Sequence, residues 1–235
     1  MRTGLEVAIR KADGTTAVDL GRRGAPSLPV SAALGAVMPD GLRRGSTVTV
    51  AGSISLVLAL LGSASAEGAW CALVGFPRIS AESAREYGIE LSRLALVPVP
   101  GASWATAVGA LLDAVDVVAA RPPRTGGGPA PADIRRLAAR ARTQDAVLVP
   151  FLGTGTWPGA DLRLTAHDGR WSGIGEGTGR LRARRITVTA EGRGRASRAR
   201  STALWLPADG GGTHTVLTSA PAPVLAEPTL VELAG

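Results

Sequence analysis

Apolar runs alternate with amphipathic stretches from Thr47 onward, and this alternation is the strongest pattern in the chain. Short apolar runs bounded by glycine, proline or polar residues predict strands, whereas longer stretches with helical apolar spacing predict helices. The predicted strands are 47–51, 70–75, 94–98, 115–120 and 146–151. The predicted helices are 55–66, 80–87, 102–113 and 131–142, preceded by a short one at 31–37. Repeated strand–helix units are typical of a parallel sheet with helices packed on its faces.

The helix predicted at 131–142 has a clear apolar face. Ile134, Leu137, Ala138 and Ala141 recur at helical spacing, and the arginines of this stretch lie largely off that face. Pro131 suits a first helical turn, where an N–H group has no partner within the helix. We therefore expect this helix to bury one face against the sheet.

The pattern changes after residue 150. Residues 162–165, 181–189 and 202–206 alternate apolar and polar positions between glycine-rich turns, which predicts antiparallel strands with one solvent-facing side. Gly173-Ile174-Gly175-Glu176-Gly177 resembles a glycine-rich nucleotide loop, but with no strand expected before it and no helix after it, it is interpreted as a turn. We divide the chain into an N-terminal segment (1–40), a core with hairpins (41–206) and a Pro/Gly/Ala-rich tail (207–235).

Composition narrows the possible classes of protein. The chain has 235 residues, is 45% hydrophobic and carries a net charge of +7. No apolar run is long enough to span a bilayer, and the N-terminus lacks an apolar leader, so we expect a cytoplasmic protein with no membrane contact. Cys71 is the single cysteine and lies in a predicted buried strand, so we expect it to be inert. One cysteine and two histidines are too few for a zinc site of the Cys/His type, and we expect no metal or cofactor.

The connection between the first strand and the first long helix is unusually short. It consists of Gly52, Ser53 and Ile54, and Ser55 is expected to cap the following helix. A phosphate-binding loop at this place needs G-x-x-x-x-G-K-S/T, in which glycine-rich backbone wraps the phosphates, the lysine reaches them and the hydroxyl holds Mg²⁺. The connection has no lysine and is too short to encircle a triphosphate, which favours a binding protein over an enzyme.

Several stretches in order resemble the core of RecA. They are Gly41-Leu42-Arg43-Arg44-Gly45-Ser46 before the first strand, Glu67 to Val74, Ala84 to Leu94, and Ala114-Val115-Asp116-Val117-Val118. The resemblance covers about residues 35–155 and extends to the hairpins up to 206. It implies an α/β fold: a RecA-like core with a mostly parallel central sheet flanked by helices, followed by antiparallel hairpins.

Among RecA-like proteins without a phosphate loop, the chain looks like the ImuA-prime branch of the ImuA/SulA group. That resemblance implies a non-catalytic accessory role in DNA-damage-induced translesion synthesis. The implied partners are an ImuB-type inactive Y-family polymerase homologue and, indirectly, an error-prone C-family polymerase. Two alternatives remain open: a SulA-like inhibitor that binds the tubulin-like division protein, and a RecA-type ATPase with residual nucleotide binding.

The resemblance also shows which catalytic positions have changed. The phosphate-loop lysine position falls at about Ser53, and the position of the Mg²⁺-binding hydroxyl falls at about Ile54. The Walker B carboxylate is replaced by Arg121, and no acid stands near Phe76, where the catalytic glutamate is expected. Phosphoryl transfer needs the cradle, the metal site and the base together, so these losses predict that ATP is not hydrolysed.

Arginines are concentrated between residues 180 and 200. They are Arg180, Arg182, Arg184, Arg185, Arg193, Arg195, Arg198 and Arg200. Two interpretations stay open: contact with a DNA backbone or an acidic partner, and protection of a sheet edge from aggregation. No aromatic residue is interleaved with these arginines, so base stacking is not predicted.

Tryptophan is the most frequent aromatic residue, with five copies. Packing in the core or a turn is the commoner role of such side chains, and anchoring an interface is the alternative. Trp157, beside Pro158 in a Gly/Thr-rich loop, is the best candidate for a partner contact.

Overall fold

The computed structural model describes residues 27–123, 128–153, 156–175, 178–193 and 198–215. Arg195 and the tail beyond residue 215 lie outside the described residues.

Helices and strands alternate as the apolar pattern predicts. The helices are α1 (Ala32–Gly35), α2 (Ile54–Ala66), α3 (Ala81–Glu86), α4 (Trp104–Ala114) and α5 (Pro131–Thr143). The first seven strands are β1 (Ser27–Leu28), β2 (Leu42–Arg43), β3 (Val48–Ala51), β4 (Cys71–Val74), β5 (Leu94–Val97), β6 (Val117–Ala120) and β7 (Val147–Leu152). The last four are β8 (Leu162–Gly175), β9 (Thr178–Gly192), β10 (Arg200–Trp205) and β11 (His214–Thr215). The five predicted core strands and the predicted helices are confirmed, with ends shifted by a few residues.

Nine strands of the described residues form one sheet in the order β11-β10-β9-β8-β3-β7-β6-β4-β5. The pairs from β5 through to β8 are parallel, and β8 also begins an antiparallel series that continues through β9 and β10 to β11. Strand β8 therefore joins the two halves of the sheet. This architecture confirms the predicted fold class, a RecA-like α/β core followed by antiparallel hairpins.

Apolar side chains fill both faces of the parallel half. Helix α2 is apolar around most of its circumference, and Leu56, Leu60 and Leu61 are fully buried against one face. Helices α4 and α5 cover the other face, with Leu112 and Leu137 fully buried. The predicted face of α5, including Ile134 and Ala141, is the buried one. Within the described residues no helix has the length and apolarity needed to cross a membrane.

The described part of the N-terminal segment belongs to the same core. Strand β1 pairs with β2, and Leu28, Leu34 and Met38 are buried in the cluster formed around α2. At the other end, Ala208 is buried and β11 pairs with β10. Residues 40 and 207 therefore do not mark structural boundaries, in contrast to the division drawn from the sequence. The short apolar runs there have no clear period, and only their tertiary contacts show that they are buried.

Strands β8 and β9 form a much longer hairpin than the sequence predicts. Their pairing runs from Leu162 opposite Gly192 to Gly175 opposite Thr178, with register shifts near Asp168 and Gly173. Both residues have positive φ, 53° and 107°, respectively. Glycines and bulges interrupt the alternation of apolar residues, so the sequence shows only parts of each strand. The glycine-rich stretch from Gly173 does follow a strand, contrary to expectation, but it leads into β9 and not into a helix.

The hairpin extends past the end of β3. Strand β8 pairs with β3 only from Leu162 to Thr165, opposite Val48 to Ala51. The remaining residues of β8, 166–175, reach about 30 Å further at the rise of an extended strand. The hairpin therefore projects beyond the carboxyl ends of the parallel strands.

Candidate functional site at the carboxyl edge of the sheet

The loops that follow β3, β4, β5 and β6 meet at the carboxyl edge of the parallel strands. In open α/β sheets, ligands bind in the crevice at this edge. Here the loops and the projecting hairpin enclose a cleft of about 1190 Å³. We therefore take this cleft and the hairpin beside it as the candidate functional site.

The loop after β3 is closed on one side by the neighbouring strand β8. Gly52 has a φ of +83°, and a side-chain carbon added there would lie 2.0 Å from the carbonyl oxygen of Ala166 in β8. The loop is thus packed directly against the backbone of the neighbouring strand. A phosphate group has no room between the Gly52 backbone and that strand.

The residues after Gly52 continue directly into helix α2. Ser53 is 4% exposed, and its hydroxyl has no hydrogen-bond partner among the described residues. Helix α2 begins at Ile54, so Ser53, not Ser55, occupies the cap position, and its side chain forms no capping hydrogen bond. The prediction that Ser55 caps this helix is wrong, because the helix begins earlier; Ser55 lines the cleft instead.

Arg121 occupies the carboxyl end of β6, where the resemblance to RecA places a metal-binding carboxylate. Its backbone N–H donates to the carbonyl of Val74 over 2.8 Å. Its guanidinium carbon lies 5.7 Å from the ring centroid of Phe151, and the ring of Phe76 is 5.9 Å from that of Phe151. A cation stacked on aromatic rings would repel Mg²⁺ at this point.

Acidic groups in the cleft lie elsewhere. Glu86 and Asp133 are among its lining residues, and the Asp133 carboxylate is 2.8 Å from a guanidinium nitrogen of Arg136. In the part of the chain that the structure describes, no three acidic, histidine or cysteine side chains are grouped as metal ligands would be.

Proline gives the cleft an apolar and rigid rim. The prolines that line it are Pro77, Pro98, Pro100, Pro122, Pro123, Pro129 and Pro207. Val99, in the same rim, is 79% exposed. Proline has a fixed φ and no N–H group to offer a phosphate. The rim therefore resembles a surface for apolar contact more than a site for a charged nucleotide.

Trp157 does not lie on the surface. It is 3% exposed and packs edge-to-face against Trp104, with ring centroids 6.4 Å apart. The prediction that Trp157 contacts a partner is wrong, because its loop folds back so that the ring completes the core beside α4. Trp171, at 49%, is the exposed tryptophan of the described residues.

The predicted arginine patch is divided between the two ends of the hairpin. Arg180, Arg182, Arg184 and Arg185 lie toward its projecting tip, whereas Arg193, Arg198 and Arg200 lie at the opposite end of β9 and the start of β10. Arg200 pairs with Ala190, which is about 17 Å along the strand from Arg185. The tip arginines and the distal arginines are therefore two separate groups.

An aromatic ring lies among the tip arginines. Trp171 on β8 is directly opposite Arg184 on β9, and the guanidinium carbon is 5.9 Å from the ring centroid. The expectation that no aromatic accompanies the arginines is wrong in three dimensions, because the ring comes from the other strand. Trp171 lies between the strands predicted at 162–165 and 181–189, so the local pattern carried no signal of this contact. Pairing the two halves of the hairpin would have found it.

Comparisons with known proteins agree with this architecture. The crystal structure of the RadB recombinase aligns with a TM-score of 0.58 at 14% identity, covering 79% of this chain and 97% of that chain, which shows a shared fold. Rv3395c of Mycobacterium tuberculosis (strain ATCC 25618 / H37Rv), described as an uncharacterized protein, is 34% identical over 129 residues. The matched region is 55% of this chain and 61% of that relative, so the chain spans about three-fifths of its length.

The family match lies in the parallel half of the sheet. Residues 36–159, which run from the end of α1 to the turn before β8, match the family described as the MT3502 N-terminal domain. Because the match spans more than half of the chain, this protein belongs to the MT3502 N-terminal domain family.

Proposed function

We propose that this protein is a non-catalytic RecA-like accessory protein that binds another protein through the carboxyl-edge cleft. The observation that carries the proposal is the contact between Gly52 and the Ala166 carbonyl, which occupies the place of a phosphate loop. Arg121 at the metal position supports it, since both replacements act against Mg²⁺–nucleotide binding. A protein partner would then bind the cleft whether or not a nucleotide is present.

Within this proposal, the biological setting is DNA-damage-induced translesion synthesis in the cytoplasm. The support is the resemblance of residues 35–155 to the ImuA-prime branch. The direct partner would be an ImuB-type inactive Y-family polymerase homologue, with an error-prone C-family polymerase engaged indirectly. Contact with a DNA backbone through the arginines at the projecting end of the β8–β9 hairpin is the second part of the proposal.

The absence of nucleotide binding can be tested directly. Titration with a fluorescent ATP analogue and Mg²⁺ should give no saturable signal at micromolar concentrations. The reason is steric and electrostatic: the Gly52 loop is closed by β8, and Arg121 replaces the metal-binding acid. A clear binding isotherm would contradict the proposal and favour a residual ATPase.

The partner is tested by co-purification with the ImuB-type protein of the same genome, using the division protein as the competing bait. We expect co-elution with the polymerase homologue in moderate salt. Val99→Glu, which places a charge on the rim, should weaken this complex. Leu96→Glu is the matched control, because Leu96 is 45% exposed on β5 and does not line the cleft.

Two results would argue against this assignment. Capture of the division protein in place of the polymerase homologue would move the function to a SulA-like inhibitor. Equal loss of binding with Val99→Glu and Leu96→Glu would show that the cleft is not the contact surface.

A further inference from the structure

The projecting end of the β8–β9 hairpin combines positive charge with exposed apolar side chains. We call residues 169–175 and 178–185 the hairpin tip. It carries five arginines: Arg170, Arg180, Arg182, Arg184 and Arg185. None of them forms a salt bridge with another described residue. Five arginines close together on a two-stranded ribbon favour an anionic ligand.

Arg170 and Arg185 form a like-charge pair. They lie directly opposite each other on the two strands, so their side chains leave the same face of the ribbon. Like charges in this position destabilise a strand pair. Phosphates bound by the two guanidinium groups would reverse that effect by giving each a charge-assisted hydrogen bond.

Trp171 and Arg184 form a second cross-strand pair on the adjacent register position. The guanidinium of Arg184 lies in the space above Gly169, where an added side-chain carbon would be 2.5 Å from Nη2. Its carbon is 5.9 Å from the centre of the Trp171 ring, which remains 49% exposed. Arg184 thus holds an aromatic ring at the surface, on the opposite face of the ribbon from the like-charge pair, since adjacent strand positions point to opposite sides.

The exposed apolar residues of the tip indicate which kind of anionic ligand fits the site. Trp171, Ile174 and Leu181 are 49%, 58% and 52% exposed, and they are three of the five large apolar residues exposed in the described part. A double helix presents phosphates but hides the faces of its bases within the stack. Single strands present both, and base stacking on aromatic side chains beside a cationic track is how proteins bind them.

We propose that the hairpin tip binds single-stranded nucleic acid. The nucleic-acid strand passes around the edge of β8 beyond Thr165, where β8 pairs with β9 alone among the described strands. Trp171 stacks on a base on one face of the ribbon, and Arg170 and Arg185 contact successive phosphates on the other. Arg184 is a positioning residue that orients the ring. This inference rests on the DNA contact of the proposed function and names its site and its ligand. The distal arginines, Arg198 and Arg200, are not part of the site.

The test measures binding of a fluorescent oligothymidylate of about 20 nucleotides by anisotropy at several salt concentrations. Trp171→Ala should weaken binding about tenfold, whereas Trp171→Phe should retain most of it. The double variant Arg170→Gln/Arg185→Gln should weaken binding and reduce the slope of log K against log salt by about 1.4. Arg198→Gln/Arg200→Gln is the matched control and should leave both quantities unchanged. Circular dichroism and thermal melting establish that each variant is folded.

Three results would overturn the inference. Equal affinity for a duplex of the same length, with no effect of Trp171→Ala, would show backbone contact without stacking. Stronger binding to polyglutamate than to the oligonucleotide would identify an acidic protein as the ligand. Equal losses in the tip and distal variants would show nonspecific attraction to net charge. Co-purification with the polymerase homologue is scored separately, so a chain that retains this partner but not the oligonucleotide fails this inference alone.

Discussion

Cys71 shows how far burial changes the chemistry of a single residue. Its side chain is fully buried between the sheet and α2. Burial raises the pKa of the thiol from its ordinary value of 9.0 to about 12, and the nearby negative charge of Asp116 adds to this effect. A hydrogen bond with Ser65 acts in the opposite direction but is weaker. The thiolate, which is the reactive form, is therefore scarce at neutral pH, in agreement with an inert structural role.

This shifted pKa predicts a loss of stability in alkaline solution. Above pH 9 the thiol ionises in the unfolded chain while it stays protonated in the folded chain, so the free energy of unfolding falls up to about pH 12. The slope from this group is about 1.4 kcal/mol per pH unit. Urea unfolding of the wild type and Cys71→Ala between pH 8 and 11 measures it. If the two proteins lose stability in parallel, Cys71 does not have the raised pKa.

Strands and loops at the amino edge are joined through one buried carboxylate. Asp116, just before β6, accepts hydrogen bonds from the backbone N–H of Trp70 over 2.9 Å and from Arg44 Nη1 over 2.8 Å. The side chains of Arg44 and Asp116 are 12% and 5% exposed. The contact ties the starts of β4 and β6 to the turn before β3. The amino edge is thus held together by a buried ion pair, whereas the carboxyl edge carries the open cleft.

Asp116→Asn should therefore destabilise the protein strongly. The substitution removes the negative charge beside buried Arg44, which typically lowers the free energy of unfolding by about 3 kcal/mol. Asp113→Asn is the control, because the Asp113–Arg140 pair joins α4 to α5 on the surface and is worth about 1 kcal/mol or less. Urea denaturation measures both. Similar small losses in the two variants would contradict a structural role for the buried pair.

At the scale of the whole molecule, the two halves of the sheet carry different surface features. The parallel half is closed on both faces by helices, and its carboxyl edge carries the cleft. The antiparallel half supplies Ala166, which closes the loop after β3, and the arginine-bearing tip beyond it. The proposed protein contact and nucleic-acid contact therefore lie side by side, which suits an adaptor.

The core should also depend on the residues before β2. A chain starting at residue 41 loses buried Leu28, Leu34, Val37 and Met38 from the cluster around α2. Exposing that surface should lower the thermal midpoint markedly or make the protein insoluble, since each such side chain stabilises by about 1.5–3 kcal/mol when buried. A chain starting at residue 27 keeps every described contact and is the control. Equal melting temperatures would show that α1 is dispensable.

The sequence determined the order of strands and helices, because apolar periodicity is a local property. It also determined that the Gly52–Ser55 connection is short and that Arg121 follows β6, because length and residue identity can be read without coordinates. Only the tertiary structure decided what lies against these residues. The Ala166 carbonyl against Gly52, the burial of Trp157 on Trp104 and the pairing of Trp171 with Arg184 join residues distant in sequence or on different strands. Such contacts depend on strand register and loop direction, and these are fixed by packing of the whole chain.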